Sequence, residues 1–162
     1  MNLQKLFQMQ KELDQRIESK HQLENERLIE RKILALLVEI GELANETRCF
    51  KFWSIKPPSK DEIILEEYVD GLHFLLSIGL ELHMSDLNEM KPKKSNENLT
   101  DQFLTIFHEA SLLKKKFSID TYLHLFQHYL NLGLSLGFTM DEIYEAYISK
   151  NEINHERQNQ GY

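Results

Sequence analysis

Apolar residues recur at helical spacing along nearly the whole chain. Between residues 3 and 18 they lie three or four positions apart, which is the pattern of an amphipathic helix. The same spacing predicts further helices at about 27–47, 59–88, 99–115, 118–137 and 139–154. The third of these is apolar on nearly all sides, which predicts a central, buried helix. We therefore expect an all-α protein in which residues 1–162 form one domain, a bundle of five or six helices.

Three polar residues predict where helices begin. Ser59 and Thr139 each precede a glutamate by three positions, which is the capping-box pattern. Ser118 stands directly before another apolar-periodic segment and is expected to be a helix N-cap. The large apolar surface of the third to fifth helices also favours a homodimer.

Two short acidic motifs lie inside apolar helical segments. EIGE contains Glu39 and Glu42, and EYVD contains Glu67 and Asp70. Residues three apart share one face of a helix, so packing of the two helices would bring four carboxylates together. An isolated Glu-x-x-Glu is usually a solvated helix face, but the apolar residues 71–76 argue against that interpretation here. Carboxylates in such surroundings favour a hard divalent cation, Mg²⁺ or Mn²⁺.

Composition and charge narrow the class of protein. At 41% hydrophobic residues the chain has enough apolar material for one core, and its net charge of −7 disfavours nonspecific binding to a nucleic acid. The single cysteine, Cys49, has no intramolecular partner, which indicates a reducing compartment. No apolar run is long enough to span a bilayer, and the N-terminal residues have no signal-peptide core. We expect a cytoplasmic protein with no membrane contact.

Candidate ligand-binding residues lie outside the acidic motifs. The segment 49–58 is aromatic and basic and contains two prolines. It is either a hydrophobic plug with Trp53 in the core, or a lip in which Trp53 contacts a base and Lys51 or Lys56 contacts a phosphate. Near the C-terminus, Lys150, Asn154 and Arg157 share one helical face. They either bind a phosphate chain or belong to a frayed polar end.

Taken together, these motifs resemble those of a known family. ExxE and ExxD separated by 24 residues are similar to the signature of the all-α nucleoside triphosphate pyrophosphatases. The stretch FKFW and the ending KNEINHERQNQGY resemble the dimeric dUTPases within that superfamily. The resemblance extends from Leu6 to Tyr162. It implies hydrolysis of dUTP to dUMP and pyrophosphate, and it leaves open whether dUDP is also cleaved.

The resemblance also implies roles for individual residues. Gln10, which the pattern alone would allow to be a partly exposed helix residue, is expected to read the uracil together with Trp53. The metal ligands would be the four acidic residues of the two motifs, with Glu39 also taking a proton from the attacking water. The expected phosphate- and sugar-binding residues are Lys51, Lys150, Asn154, Arg157 and Tyr162.

Two other functions remain open from the sequence. A MazG-like or dCTP-type pyrophosphatase would share the acidic motifs and select a different base. A non-enzymatic helical dimer that regulates a protein partner through its acidic surface would turn over no nucleotide. That last function leaves the four carboxylates in apolar helices without an explanation.

Overall fold

The computed structural model describes residues 1–161 and is all-helical over that range, which confirms the predicted fold class. Residues Met84–Asp86 form a short 3₁₀ helix. None of the helices in the described range is long and apolar enough to cross a membrane. The six α-helices are α1 (Leu3–Lys20), α2 (Ile29–Thr47), α3 (Asp61–Glu81), α4 (Leu99–Leu113), α5 (Ile119–Ser135) and α6 (Met140–Asn159).

Helix α3 is the central element, as its apolar composition predicts. It packs most extensively against α2 and also contacts α1, α5 and α6. Its buried positions fall on all sides of the helix, so that Tyr68, Leu72, Leu75 and Leu76 are fully enclosed. The remaining helix, α4, pairs with α5 and packs against α2. This arrangement places the acidic residues of α2 and α3 at a shared interface, with α1 and α6 close by.

Two of the predicted helix starts are confirmed. The Thr139 hydroxyl accepts a hydrogen bond from the Glu142 amide at 3.2 Å, and the Glu142 carboxylate accepts one from the Thr139 amide at 2.8 Å. This reciprocal pair satisfies two amides that the first turn of α6 would otherwise leave unpaired. The Ser118 hydroxyl accepts in the same way from the Thr121 amide at 3.3 Å at the start of α5.

The capping box predicted at Ser59 is wrong. The N-cap of α3 is Lys60, which makes no side-chain capping bond. The Ser59 hydroxyl instead donates to the carboxylate of Glu46, and its amide donates to the Glu46 carbonyl at 3.0 Å. Because two prolines precede Ser59, the chain arrives in an extended conformation that directs Ser59 back to α2. The residue therefore fastens the loop to α2 and does not start α3.

Two helix ends differ from the sequence-based expectation. Helix α3 ends at Glu81, earlier than predicted, because His83 adopts a left-handed backbone conformation with φ 59°. Helix α6 continues to Asn159, further than predicted. Its last turns are held by α1, where Lys20 donates to the Gln158 carbonyl and Arg16 donates to Asn159. The C-terminal candidate residues therefore lie on a regular, packed helix.

Close packing of α3 on α5 depends on two tyrosines that cross the interface. The Tyr129 hydroxyl donates to the Tyr68 carbonyl at 2.7 Å, and the Tyr68 hydroxyl donates to the Tyr129 carbonyl at 3.0 Å. The two rings stack with centroids 4.7 Å apart. Each hydroxyl lies over a glycine: a Cβ at Gly71 would be 2.2 Å from the Tyr129 oxygen, and one at Gly133 would be 2.7 Å from the Tyr68 oxygen. Only glycine leaves room for this contact.

We predict that Gly71→Ala lowers the free energy of unfolding by about 1–3 kcal/mol, because the added methyl group displaces the buried, hydrogen-bonded Tyr129. Urea denaturation monitored by circular dichroism measures this change. Gly41→Ala is the matched control, since its Cβ would lie 3.9 Å from the Phe107 ring. The control should be neutral or stabilising by up to about 1 kcal/mol. Equal stabilities of the two variants would contradict this account of the α3–α5 contact.

Candidate active site

Three carboxylates meet where α2 packs on α3. Glu39, Glu67 and Asp70 each offer an oxygen, and these atoms all lie within 4.8 Å of one another. Glu39 comes from α2 and the other two from α3, so the cluster exists only because the helices pack side by side. Glu42 lies beside this group, lining a shallow surface depression together with Glu67. The structure thus gathers three of the four predicted acidic residues closely and leaves the fourth at the edge.

Burial and mutual repulsion change the acidity of the cluster. Burial raises the pKa of Glu39 to about 7, helped by the negative charges of Asp70, Glu42 and Glu67. Burial also raises the pKa of Glu67, with Asp70 and Glu42 adding to the effect. The pKa of Asp70 is raised by burial as well, although the bond to Lys150 opposes this. The folded protein therefore holds negative charge here at an energetic cost.

Lys150 provides the positive charge nearest to the cluster. Its ammonium group donates to Asp70 at 2.7 Å and to Glu66 at 2.8 Å, and the side chain is almost completely enclosed. Burial opposes the charged form, but the bonds to Asp70 and Glu66 outweigh it and raise the pKa of Lys150. An enclosed ammonium group with two carboxylate partners stays charged at neutral pH. Lys150 therefore balances part of the charge of the cluster.

A cavity of about 300 Å³ opens beside the carboxylates. It brings Gln10 of α1 to the same space as Glu39, Asp70, Asn154 and Arg157. Arg157 Nη1 also lies 3.5 Å from the Asn154 side-chain oxygen on the same face of α6. The other lining residues are Leu13, Asp14, Ile17, His73, Phe74, Ser77 and Gln158. Residues predicted separately to bind metal, phosphate and base therefore surround one cavity.

Gln10 is a buried residue, only 3% exposed, and not the partly exposed helix residue that the sequence pattern also allowed. Its Nε2 donates to Asp14 at 2.7 Å, and its Oε1 accepts from the Tyr147 hydroxyl at 2.8 Å. His73 Nδ1 lies 2.8 Å from the same oxygen. The structure thus connects the buried His73 to Gln10.

A second ion pair lies behind Gln10. Asp14 accepts a hydrogen bond from the Ser77 hydroxyl at 2.5 Å and lies 3.6 Å from the ammonium group of Lys32. Burial raises the pKa of Asp14, while the charge of Lys32 opposes the shift. Sequence reasoning missed Asp14 and Ser77. The available signal was helical spacing: Asp14 lies four residues after Gln10, and Ser77 lies four residues after His73.

The aromatic loop does not line this cavity within one chain. Trp53 is 65% exposed and packs edge-on against Phe52, with ring centroids 5.0 Å apart. It is therefore not the core residue that the plug interpretation required. Lys51 donates to the side chain of Asn45, which lines the shallow depression beside Glu42. Tyr162, the last candidate, lies outside the described residues.

Together, an all-helical bundle, a carboxylate cluster and a neighbouring polar cavity are typical of the class of all-α nucleotide hydrolases. The comparison with protein families makes this specific. The family model described as dUTPase matches residues 2–162, and the chain belongs to the all-α dimeric dUTPase family. Its activity is accordingly that of a dUTP diphosphatase. A search among curated proteins found no match.

The raised pKa of Glu39 predicts how stability varies with pH in the absence of divalent cations. Because its pKa rises from 4.5 to about 7 on folding, the folded state binds more protons than the unfolded state in that window. The free energy of unfolding should therefore fall as the pH rises through it. Thermal melts in EDTA between pH 4.5 and 8 would measure the slope. In Glu39→Gln the free energy of unfolding should fall less steeply with pH. The remaining fall would come from Glu67 and Asp70, whose pKa values are also raised. Identical slopes for the two proteins would contradict the raised pKa.

Proposed function

We propose that the dUTP diphosphatase reaction of this chain depends on a divalent cation, Mg²⁺ or Mn²⁺, held by Glu39, Glu42, Glu67 and Asp70. The observation that carries the proposal is the meeting of three carboxylates within 4.8 Å beside a polar cavity. An oxygen-only donor set fits a hard cation. The raised pKa values of Glu39 and Glu67 indicate repulsion that such an ion would relieve. When bound, the ion would neutralise phosphate charge and make a water molecule more acidic.

The residues of the chain supply the remaining chemistry. The attacking water forms a bond to the α-phosphorus, the bond to the bridging oxygen breaks, and pyrophosphate leaves. We assign the acceptance of the water's proton to Glu39, because burial and its acidic neighbours raise its pKa above that of a free carboxylate in the absence of the ion, and a more basic carboxylate is the better proton acceptor. Protonation of Glu39 also relieves its repulsion with the neighbouring carboxylates. The role of the other acidic residues is to hold the ion.

We assign binding of the substrate phosphates to the face of α6 that carries Lys150, Asn154 and Arg157. Lys150 and Arg157 supply positive charge and Asn154 an amide, and the last two line the cavity with the carboxylates. These groups would stabilise negative charge that develops on the departing pyrophosphate. Lys51, on the exposed loop, and Tyr162 are further phosphate- or sugar-binding candidates from the family resemblance.

Base recognition is assigned to the α1 side of the cavity. Gln10 lines it as a buried residue, and both ends of its amide are hydrogen-bonded. Trp53 is the second candidate from the resemblance, and its ring is available on the exposed loop. Selection of uracil over other bases is thus proposed to follow from buried polar groups, which reject mismatched ligands strongly.

A test of the metal and of the substrate measures pyrophosphate release from dUTP, dTTP, dCTP and UTP, and orthophosphate release from dUDP. We expect cleavage of dUTP with Mg²⁺ or Mn²⁺ and none with EDTA. Glu42→Gln and Asp70→Asn should each lower activity by about 100-fold or more, while the far-ultraviolet circular dichroism spectrum stays unchanged. Glu62→Gln, an exposed acid in the first turn of α3, is the matched control. Full activity of either site variant at limiting Mg²⁺ would refute the assigned ligands.

We also propose that the protein is a homodimer formed through an exposed apolar face of α2 and α4. Leu34 and Val38 lie one turn apart on α2, and Leu34 is 63% exposed. On the packed neighbour α4, Leu104 is 62% exposed. Exposed apolar side chains grouped on adjacent helices are typical of subunit interfaces.

The double variant Leu34→Asp/Leu104→Asp should be a monomer, because two carboxylates would be buried in the interface. Light scattering coupled to size-exclusion chromatography measures the mass. Phe117→Asp, which changes an exposed apolar residue before α5, should remain a dimer. A monomeric unmodified protein, or a dimeric double variant, would refute this interface.

A further inference from the structure

A buried chain of hydrogen bonds begins at Asp14 and ends at the cavity. The carboxylate of Asp14 lies 3.6 Å from the Lys32 ammonium group and accepts from the Ser77 hydroxyl at 2.5 Å; both favour its ionised form, although burial raises its pKa. An ionised carboxylate accepts hydrogen bonds and donates none. The side chain of Gln10 must therefore turn its amino group, Nε2, to Asp14, from which it is 2.7 Å away. Asp14 thus determines which way the Gln10 amide faces.

The orientation of Gln10 determines the tautomer of His73. The amide oxygen of Gln10 has only lone pairs, so His73 Nδ1, 2.8 Å from it, must carry the hydrogen. Burial, together with the charge of Lys150, lowers the pKa of His73 to about 3, and the imidazole is neutral. A neutral imidazole carries one hydrogen, so Nε2 is an acceptor with a free lone pair.

This acceptor has no partner in the described part of the chain. His73 is 5% exposed and lines the cavity, and its Nε2 is buried without a hydrogen bond. A buried acceptor left unpaired is costly, which favours a ligand that brings a donor. Nearby, the Nε2 group of Gln10 carries two hydrogens and uses one for Asp14. Two residues that line the cavity and hydrogen-bond to each other, His73 and Gln10, therefore carry one unused acceptor and one unused donor.

We propose that Asp14 acts through Gln10 as a positioning residue for base selection, and that Nε2 of His73 accepts a hydrogen bond from a pyrimidine ring N–H. The second N–H of Gln10 donates to the C4 carbonyl beside that ring nitrogen. This inference rests on the proposed function, because it takes the cavity as the base site. Uracil carries a ring N–H between two carbonyls and matches this pair. Cytosine has an unprotonated ring nitrogen beside an amino group. It would therefore place an acceptor against Nε2 of His73 and a donor against the N–H of Gln10.

The tautomer can be measured without catalysis. Long-range ¹H–¹⁵N spectra of the ligand-free protein should show His73 with a protonated Nδ1 and an unprotonated Nε2. Addition of dUMP should shift the Nε2 resonance, and dCMP at the same concentration should not. A protonated Nε2 in a protein that hydrolyses dUTP would overturn this inference alone. Absence of dUTP hydrolysis would overturn the proposed function, and the recognition of the base with it.

Two matched variants distinguish recognition of the base by His73 from hydrogen-bond support of the Gln10 side chain. His73→Phe and Tyr147→Phe each remove one hydrogen bond to the same oxygen of Gln10, but only the first removes the free acceptor. We expect the ratio of kcat/KM for dUTP over dCTP to fall about 10-fold or more in His73→Phe, mainly through KM for dUTP. In Tyr147→Phe the ratio should change by about threefold or less. Equal falls in both variants would overturn the role of Nε2.

The role of Asp14 has its own pair of variants. Asp14→Leu removes the acceptor that orients Gln10, so we expect both tautomers of His73 in its spectrum and a selectivity loss of about 10-fold. Ser77→Ala removes a bond to the same carboxylate but keeps the acceptor, and it should retain the single tautomer. A single Nδ1–H tautomer in Asp14→Leu would overturn the positioning role. Should Asp14→Leu fail to fold, the spectrum of Ser77→Ala decides, since a changed tautomer there contradicts the proposed chain.

Discussion

The contact between α2 and α3 is the interaction on which the rest of this structure depends. It forces Glu39, Glu67 and Asp70 together in a largely apolar interface, and like charges at that distance oppose the packing that creates them. Two features offset the repulsion: burial and the neighbouring charges raise the pKa of Glu39 to about 7, and Lys150 contacts Asp70. The energy that apolar packing gains elsewhere in the core is what holds the acidic groups close enough to act together.

The cavity beside this contact has two polar ends with different physical character. At one end, carboxylates and cations from α2, α3 and α6 are suited to phosphate chemistry. At the other end, Asp14, Gln10 and His73 form a largely buried sequence of hydrogen bonds, with a defined order of donors and acceptors. The first end is governed by charge and the second by hydrogen-bond direction. Under the proposed function, the first end would bind the phosphates of the nucleotide and the second its base.

Much of the fold could be predicted from the sequence, since it follows from local patterns. The helices, the caps at Ser118 and Thr139, and the facing of the two acidic motifs all depend on spacing within about one turn. The prediction failed where a distant contact competed with a local one. Ser59 has the spacing of a capping box, but its bonds to Glu46 use the hydroxyl that would cap α3. The end of α6 is longer than predicted because Arg16 and Lys20 of α1 bind its last turns.

The candidate site, like the fold, could be predicted from the sequence only where it depends on local spacing. The sequence alone determined which residue types are present and on which helical faces, and this was sufficient to single out the acidic motifs, the cationic face of α6 and the family resemblance. Only the tertiary structure decided that Gln10 is buried, that it donates a hydrogen bond to Asp14, and that His73 lies within hydrogen-bond distance of it. It also left Trp53 exposed on its loop. The physical reason is that periodicity defines the direction of a side chain from its own helix, whereas a hydrogen-bond partner on another helix depends on how the helices pack.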